Sequence, residues 1–117
     1  MTQNMDTFQA VLAGMRNDFL AELPERCDSF DDLILTLEKF PGDSESFNSL
    51  YRGVHSLKGS GGTHGLSIIT TLCHQLENLL SETDANQGSH VTFSTLALAY
   101  VDLLRQVETA ARLKPPD

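Results

Sequence analysis

Apolar residues recur at intervals of three and four along most of this chain, and the pattern lapses at a few short polar stretches. From Asp6 or Thr7, Phe8, Val11, Leu12, Met15 and Phe19 fall on one helical face, and beyond Pro24 the pattern resumes with Cys27, Phe30, Ile34 and Leu37. The stripe slips slightly in phase near Leu23. The segment is therefore either one long helix kinked at Pro24 or two helices, with the proline in the first turn of the second. Phe40-Pro-Gly-Asp-Ser is a break: Pro41 and Gly42 stop the helix and Asp43 or Ser44 caps the next. A second helix from about Ser44 carries Phe47, Leu50, Val54 and Leu57 and is expected to fade near Gly61 or Gly62, with a turn through Thr63-His64-Gly65.

A third helix is predicted from Leu66 to about Ser81, with Leu66, Ile69, Leu72, Cys73, Leu76, Leu79 and Leu80 inward. Residues 82–89 read as a polar loop. A last helix runs from His90 or Val91 to about Leu113, with Phe93, Leu96, Ala97, Tyr100, Leu103, Leu104 and Val107 inward, before Lys114-Pro-Pro-Asp ends it. Long amphipathic helices joined by short connections predict an all-α fold, an antiparallel four-helix bundle with an extra or kinked N-terminal helix. The 117 residues suit a single domain, with residues 1–5 and 114–117 expected as flexible ends.

Charge narrows the partners. A formal net charge of −8 disfavours nucleic acid and anionic membrane surfaces alike. The few basic residues are informative where they cluster, and Arg52 and Lys58 bracket His55. No apolar run of spanning length and no signal peptide occurs, so a cytoplasmic location is expected; the chain is also expected to be a monomer. Cys27 and Cys73 both fall on apolar helix faces and read as buried reduced thiols.

Candidate chemistry concentrates around His55, which lies at the side of the apolar stripe of its helix, beside Arg52, Lys58, Gly59 and Gly62. An imidazole there is half supported by packing and half open. Lysine one turn away brings positive charge to an incoming phosphoryl group, and glycines on the same stripe permit close approach of another backbone. On the next helix, His74 and Glu77 sit one turn apart at the edge of the apolar stripe with Thr70. If the two helices pack antiparallel, these borders can meet, and Glu77 can then accept a hydrogen bond from Nδ1–H of His55. His64 and His90 fall in expected turns or caps and read as structural. His55, His64, Cys73 and His74 include metal-ligand types, but no pair has zinc-finger or His-Glu-x-x-His spacing, so no metal and no cofactor is expected.

His55-Ser-Leu-Lys58-Gly59-Ser resembles the signature of histidine-containing phosphotransfer (HPt) domains: His-x-Leu/Ile-Lys-Gly followed by a small residue. The longer stretch from Leu50 to Leu80 is most similar to the N-terminal phosphotransfer domain of chemotaxis histidine kinases. It shares Arg52, the Gly-Thr-x-Gly turn at Gly62 to Gly65, and His74-x-x-Glu77-Asn78-Leu79-Leu80. The resemblance implies that His55 is the phosphoacceptor, that Glu77 and His74 lie beside it, and that Lys58 assists. Arg52, Gly59 and Gly62 would form part of the docking surface. The implied partners are a histidine kinase or hybrid kinase and the receiver domain of a response regulator. No ATP-binding motif accompanies these residues, so the expected role is phosphoryl carrier rather than enzyme. Two alternatives stand beside it: the N-terminal domain of a chemotaxis-type kinase, and a bundle that docks a receiver without accepting phosphate.

Overall fold

Four helices follow one another: α1 (Thr2–Lys39), α2 (Ser44–Thr63), α3 (Ser67–Asn86) and α4 (His90–Leu113). The computed structural model describes residues 2–86 and 90–113. The expected flexible ends lie partly outside that range, and so does the 87–89 part of the expected loop. Residues 82–86 of that loop instead continue α3, which lacks a helix breaker until Gly88.

Each local boundary has a chemical cause. At the start of α2, the Asp43 carboxylate accepts from the backbone N–H of Ser46 at 3.3 Å and from its hydroxyl at 2.9 Å. At its end, Gly65 adopts φ +74°, a conformation that costs a side-chain-bearing residue about 1–2 kcal/mol. That turn lets Leu66 N–H reach the Gly61 carbonyl at 2.8 Å, closing a Schellman motif with Leu66 buried behind it. The helix thus runs through Gly61 and Gly62 to Thr63 rather than fading at them. Pro24 lies inside α1, on an exposed face, and the helix runs without interruption through it, so among the described residues the N-terminal segment is one helix rather than two.

The helices form a ring in which α1 packs on α2 and α4, and α3 on α2 and α4. The core is one cluster that includes Leu23, Cys27 and Ile34 from α1, Leu50, Val54 and Leu57 from α2, Ile69, Cys73, Leu76 and Leu80 from α3, and Ala97, Val101 and Leu104 from α4. Arg105 of α4 clamps α1 from outside, reaching Asp28 at 2.7 Å and Asp31 at 2.6 Å. Both cysteines are buried and free; burial pushes the Cys27 thiol up to about 11 and the Cys73 thiol up to about 12, which keeps them protonated and inert.

Two expectations about buried faces are corrected. On α4 the inward phase is Phe93, Ala97, Val101 and Leu104, while Leu96 and Leu103 are exposed: the buried positions fall at spacings of four, four and three, a face rotated from the expected one. On α1 the stripe enters the core only from Phe19 onward. Phe8, Val11, Leu12 and Met15 are exposed because α1, at 38 residues, outruns partners of 20 to 24 residues. Its length, about 57 Å at 1.5 Å per residue, sets the 58 Å long axis of a molecule only 22 by 19 Å across.

Candidate functional site

The site lies where α2 and α3 run antiparallel beside one another. Gly61 brings them together: a Cβ there would stand 2.8 Å from Cγ2 of Ile69, too close for any side chain. One turn back along α2, the Thr70 hydroxyl donates to the Lys58 carbonyl at 2.8 Å, fixing the register of the pair. In that register Glu77 of α3 faces two residues of α2. Its Oε2 is 3.0 Å from Nδ1 of His55, and its Oε1 accepts from Nζ of Lys58 at 3.1 Å.

This triad is asymmetric in exposure. The side chains of Glu77 and Lys58 are 13% and 24% exposed, whereas that of His55 is 63% exposed. Burial by itself raises the Glu77 carboxyl, but the hydrogen bonds from His55 and Lys58 outweigh it and hold the group below the usual glutamate range. An ionised carboxylate only accepts, so the Nδ1 that faces it carries the hydrogen. In the neutral ring the lone pair then lies on Nε2, which has no intramolecular partner among the described residues. The arrangement presents one nucleophilic nitrogen to a partner, with its tautomer set from below.

The other sequence candidates separate. Lys58 is engaged with Glu77 rather than standing free; its ammonium has three hydrogens and one is committed. His74 is exposed on α3 and makes no hydrogen bond to Glu77 or His55. Arg52, one turn before His55, is exposed and reaches back to the Asn48 carbonyl at 3.3 Å. Gly59 is exposed, and a Cβ there would meet nothing within 4 Å, so no contact among the described residues requires a glycine. Gly62 is exposed with Thr70 Oγ1 at 3.4 Å from such a Cβ, an ordinary contact. His64, read as structural, caps α2 and stacks on Phe19 at 4.8 Å between ring centres.

Sequence reasoning missed Gly53. A Cβ there would lie 2.7 Å from Cε1 of Phe30, so this glycine seats α1 directly behind the histidine helix. Its signal was a glycine inside an otherwise regular helical pattern. Among the described residues no three His, Cys, Asp or Glu side chains converge as a metal site. No helix among them is long and apolar enough to cross a membrane.

The chain was compared with known proteins. The model of the Hpt domain family matches residues 14–112. The chemotaxis protein CheA of Bacillus subtilis is 32% identical over 91 residues, covering 78% of this chain and 13% of that protein. CheA of Listeria monocytogenes is 32% identical over 69 residues, 59% of this chain and 11% of that protein. The sensor histidine kinase CheAY of Helicobacter pylori is 34% identical over 77 residues, 66% of this chain and 9% of that protein. The matched part is thus about a tenth of the length of these relatives. No solved structure matches.

Proposed function

The chain belongs to the Hpt domain family, and from that membership we propose that it carries phosphoryl groups on His55 in a two-component signalling pathway. The observation that supports this reading is the pairing of Nδ1 of His55 with the Glu77 carboxylate while the ring stays open to solvent. Nε2 attacks the phosphorus of an aspartyl phosphate on a receiver domain, or of the ATP γ-phosphate held by a kinase. A P–N bond forms, the P–O bond to the carboxylate or to ADP breaks, and the leaving oxygen keeps the electron pair. Nδ1 keeps its hydrogen, so the ring gains positive charge in the step and the Glu77 carboxylate stabilises it. In the reverse direction the receiver aspartate attacks and the ring returns to neutral.

Lys58 acts first by orienting Glu77, and its remaining hydrogens are available to the phosphoryl oxygens. Gly59 and Gly62 leave the stripe beside His55 flat enough for a receiver to approach, with Arg52 and His74 at its edges. Transfer of this kind depends on in-line placement and charge neutralisation more than on acid–base chemistry in the carrier. The partner therefore brings any magnesium, and the exchange is placed in the cytoplasm.

The similarity to CheA and CheAY favours a second setting, in which this bundle serves a chemotaxis-type kinase and ATP is the phosphoryl source. The chemistry at His55 is the same. Both settings are tested by incubating the chain with phosphorylated receiver domains and, separately, with a CheA-type kinase core and ATP. An acid-labile, alkali-stable phosphoryl group on His55 is expected. Receiver binding without any labelling would leave only a docking role.

A further inference from the structure

The five exposed apolar side chains at the N-terminal end of α1 form a separate surface. Met5, Phe8, Val11, Leu12 and Met15 are between 46% and 59% exposed, although they share the face that enters the core at Phe19. Phe19 stacks on His64 at the end of α2, so the helix before it extends past the α2–α3 turn, where α4 does not cover it either. The stub spans residues 2–18, about 25 Å at 1.5 Å per residue. Its spacing is that of a coiled-coil seam: Met5, Phe8, Leu12 and Met15 are separated by three, four and three residues, and Phe19 follows after four more.

We infer that this stub pairs antiparallel with the same stub of a second copy, making the chain a dimer with its two bundles at opposite ends. In an antiparallel seam the first apolar position of the heptad faces the second of the partner. Met5 then meets the partner subunit's Met15, and Phe8 meets the partner subunit's Leu12. The same register puts residue 10 at the level of the two-fold axis and sets the Val11 side chains of the two copies on one flank of the seam beside it, which accounts for the fifth apolar residue. It also brings Asp6 and the partner subunit's Arg16 to the same flank of the seam, twice over by symmetry, so that two exposed charges of opposite sign come within reach of each other.

A parallel pair fails on both counts. It would place like charges side by side and drive the two bundles into each other just beyond Phe19. The antiparallel pair leaves both His55 side chains open, because they lie back from the α2–α3 turn on the flank that faces α3. A monomer is expected from the sequence; the exposed Phe8–Met15 face is the observation that speaks for a second copy. Two heptads make a small seam, at the low end of specific interfaces, so the dimer is reversible.

Sedimentation equilibrium of the full chain tests this. Average mass should rise from one protomer toward two between about 1 and 500 µM. Leu12→Asp should hold the mass at one protomer throughout, with thermal unfolding of the bundle and labelling of His55 unchanged. Arg16→Asp should shift the midpoint to higher concentration by about tenfold, and adding Asp6→Arg should restore it. Orientation is read by cysteine cross-linking: Met5→Cys mixed with Met15→Cys should give a disulfide-linked dimer, whereas neither variant alone should. A wild-type chain that stays monomeric at 500 µM, or variants that cross-link only with themselves, would overturn the proposal.

Discussion

Nδ1 of His55 and Oε2 of Glu77 stand 3.0 Å apart across the α2–α3 interface, although 22 residues separate them in the chain. The contact divides the imidazole into an anchored nitrogen and an available one. Lys58 occupies the second carboxylate oxygen, so Glu77 is held at both ends and cannot rotate away without losing a charge-assisted bond. The properties of the site follow from that anchoring.

Replacing His55 with glutamine should abolish labelling by any phosphoryl donor and leave the fold unchanged, because the side chain is largely exposed and supports only the bond to Glu77. Phosphate-affinity electrophoresis and thermal unfolding together check this. Persistent labelling at equal stability would move the acceptor to another residue.

Glu77→Gln should slow transfer by roughly ten- to a hundredfold, the scale seen when a carboxylate that orients a functional histidine is lost. Nitrogen chemical shifts of His55 should show the Nδ1–H form losing its dominance. Lys58→Met should produce a smaller tautomer change with a comparable rate loss if its free hydrogens also meet the phosphoryl group. Equal single-turnover rates in wild type and Lys58→Met would eliminate that contribution.

Acid stability carries the signature of the same carboxylate. Folding holds the Glu77 carboxyl below its ordinary value near 4.5, since the His55 and Lys58 bonds outweigh the opposing effect of burial. The unfolded chain therefore binds the proton first. The stabilisation is complete above that ordinary value and is lost as pH falls through the lower folded value. Urea unfolding between pH 7 and pH 3 should show wild type losing this increment while Glu77→Gln lacks it. Parallel curves for the two proteins would contradict the assignment.

Two glycines of one motif should behave oppositely. Gly61→Ala drives a methyl group to 2.8 Å from Ile69 and should cost about 1–3 kcal/mol, with partial loss of the His55–Glu77 contact as α3 is pushed off. Gly59→Ala meets open space within a helix and should gain about 0.5–1 kcal/mol. A bulky residue at 59 should instead weaken receiver affinity at unchanged stability. Calorimetric unfolding and titration with a receiver domain separate the two effects, and unaltered affinity for Gly59→Tyr would place the docking surface elsewhere.

Local pattern was enough to mark the break at Phe40–Asp43 and the apolar faces of α2 and α3, because periodicity and capping act within a few residues; it left open whether α1 was one helix or two, and the meeting of His55 with Glu77 was implied by the family resemblance. It also placed Glu77 on the correct border of α3, since a helix face is fixed by spacing alone. It could not distinguish Gly59 from Gly61. Both are glycines on one helix, and only the approach of Ile69 separates a packing requirement from an open surface. Nor could it tell that Val101 rather than Leu103 turns inward, or that the Phe8–Met15 stripe outruns its neighbours. Spacing determines that a face is apolar, whereas the relative lengths and rotations of packed helices decide what, if anything, covers it.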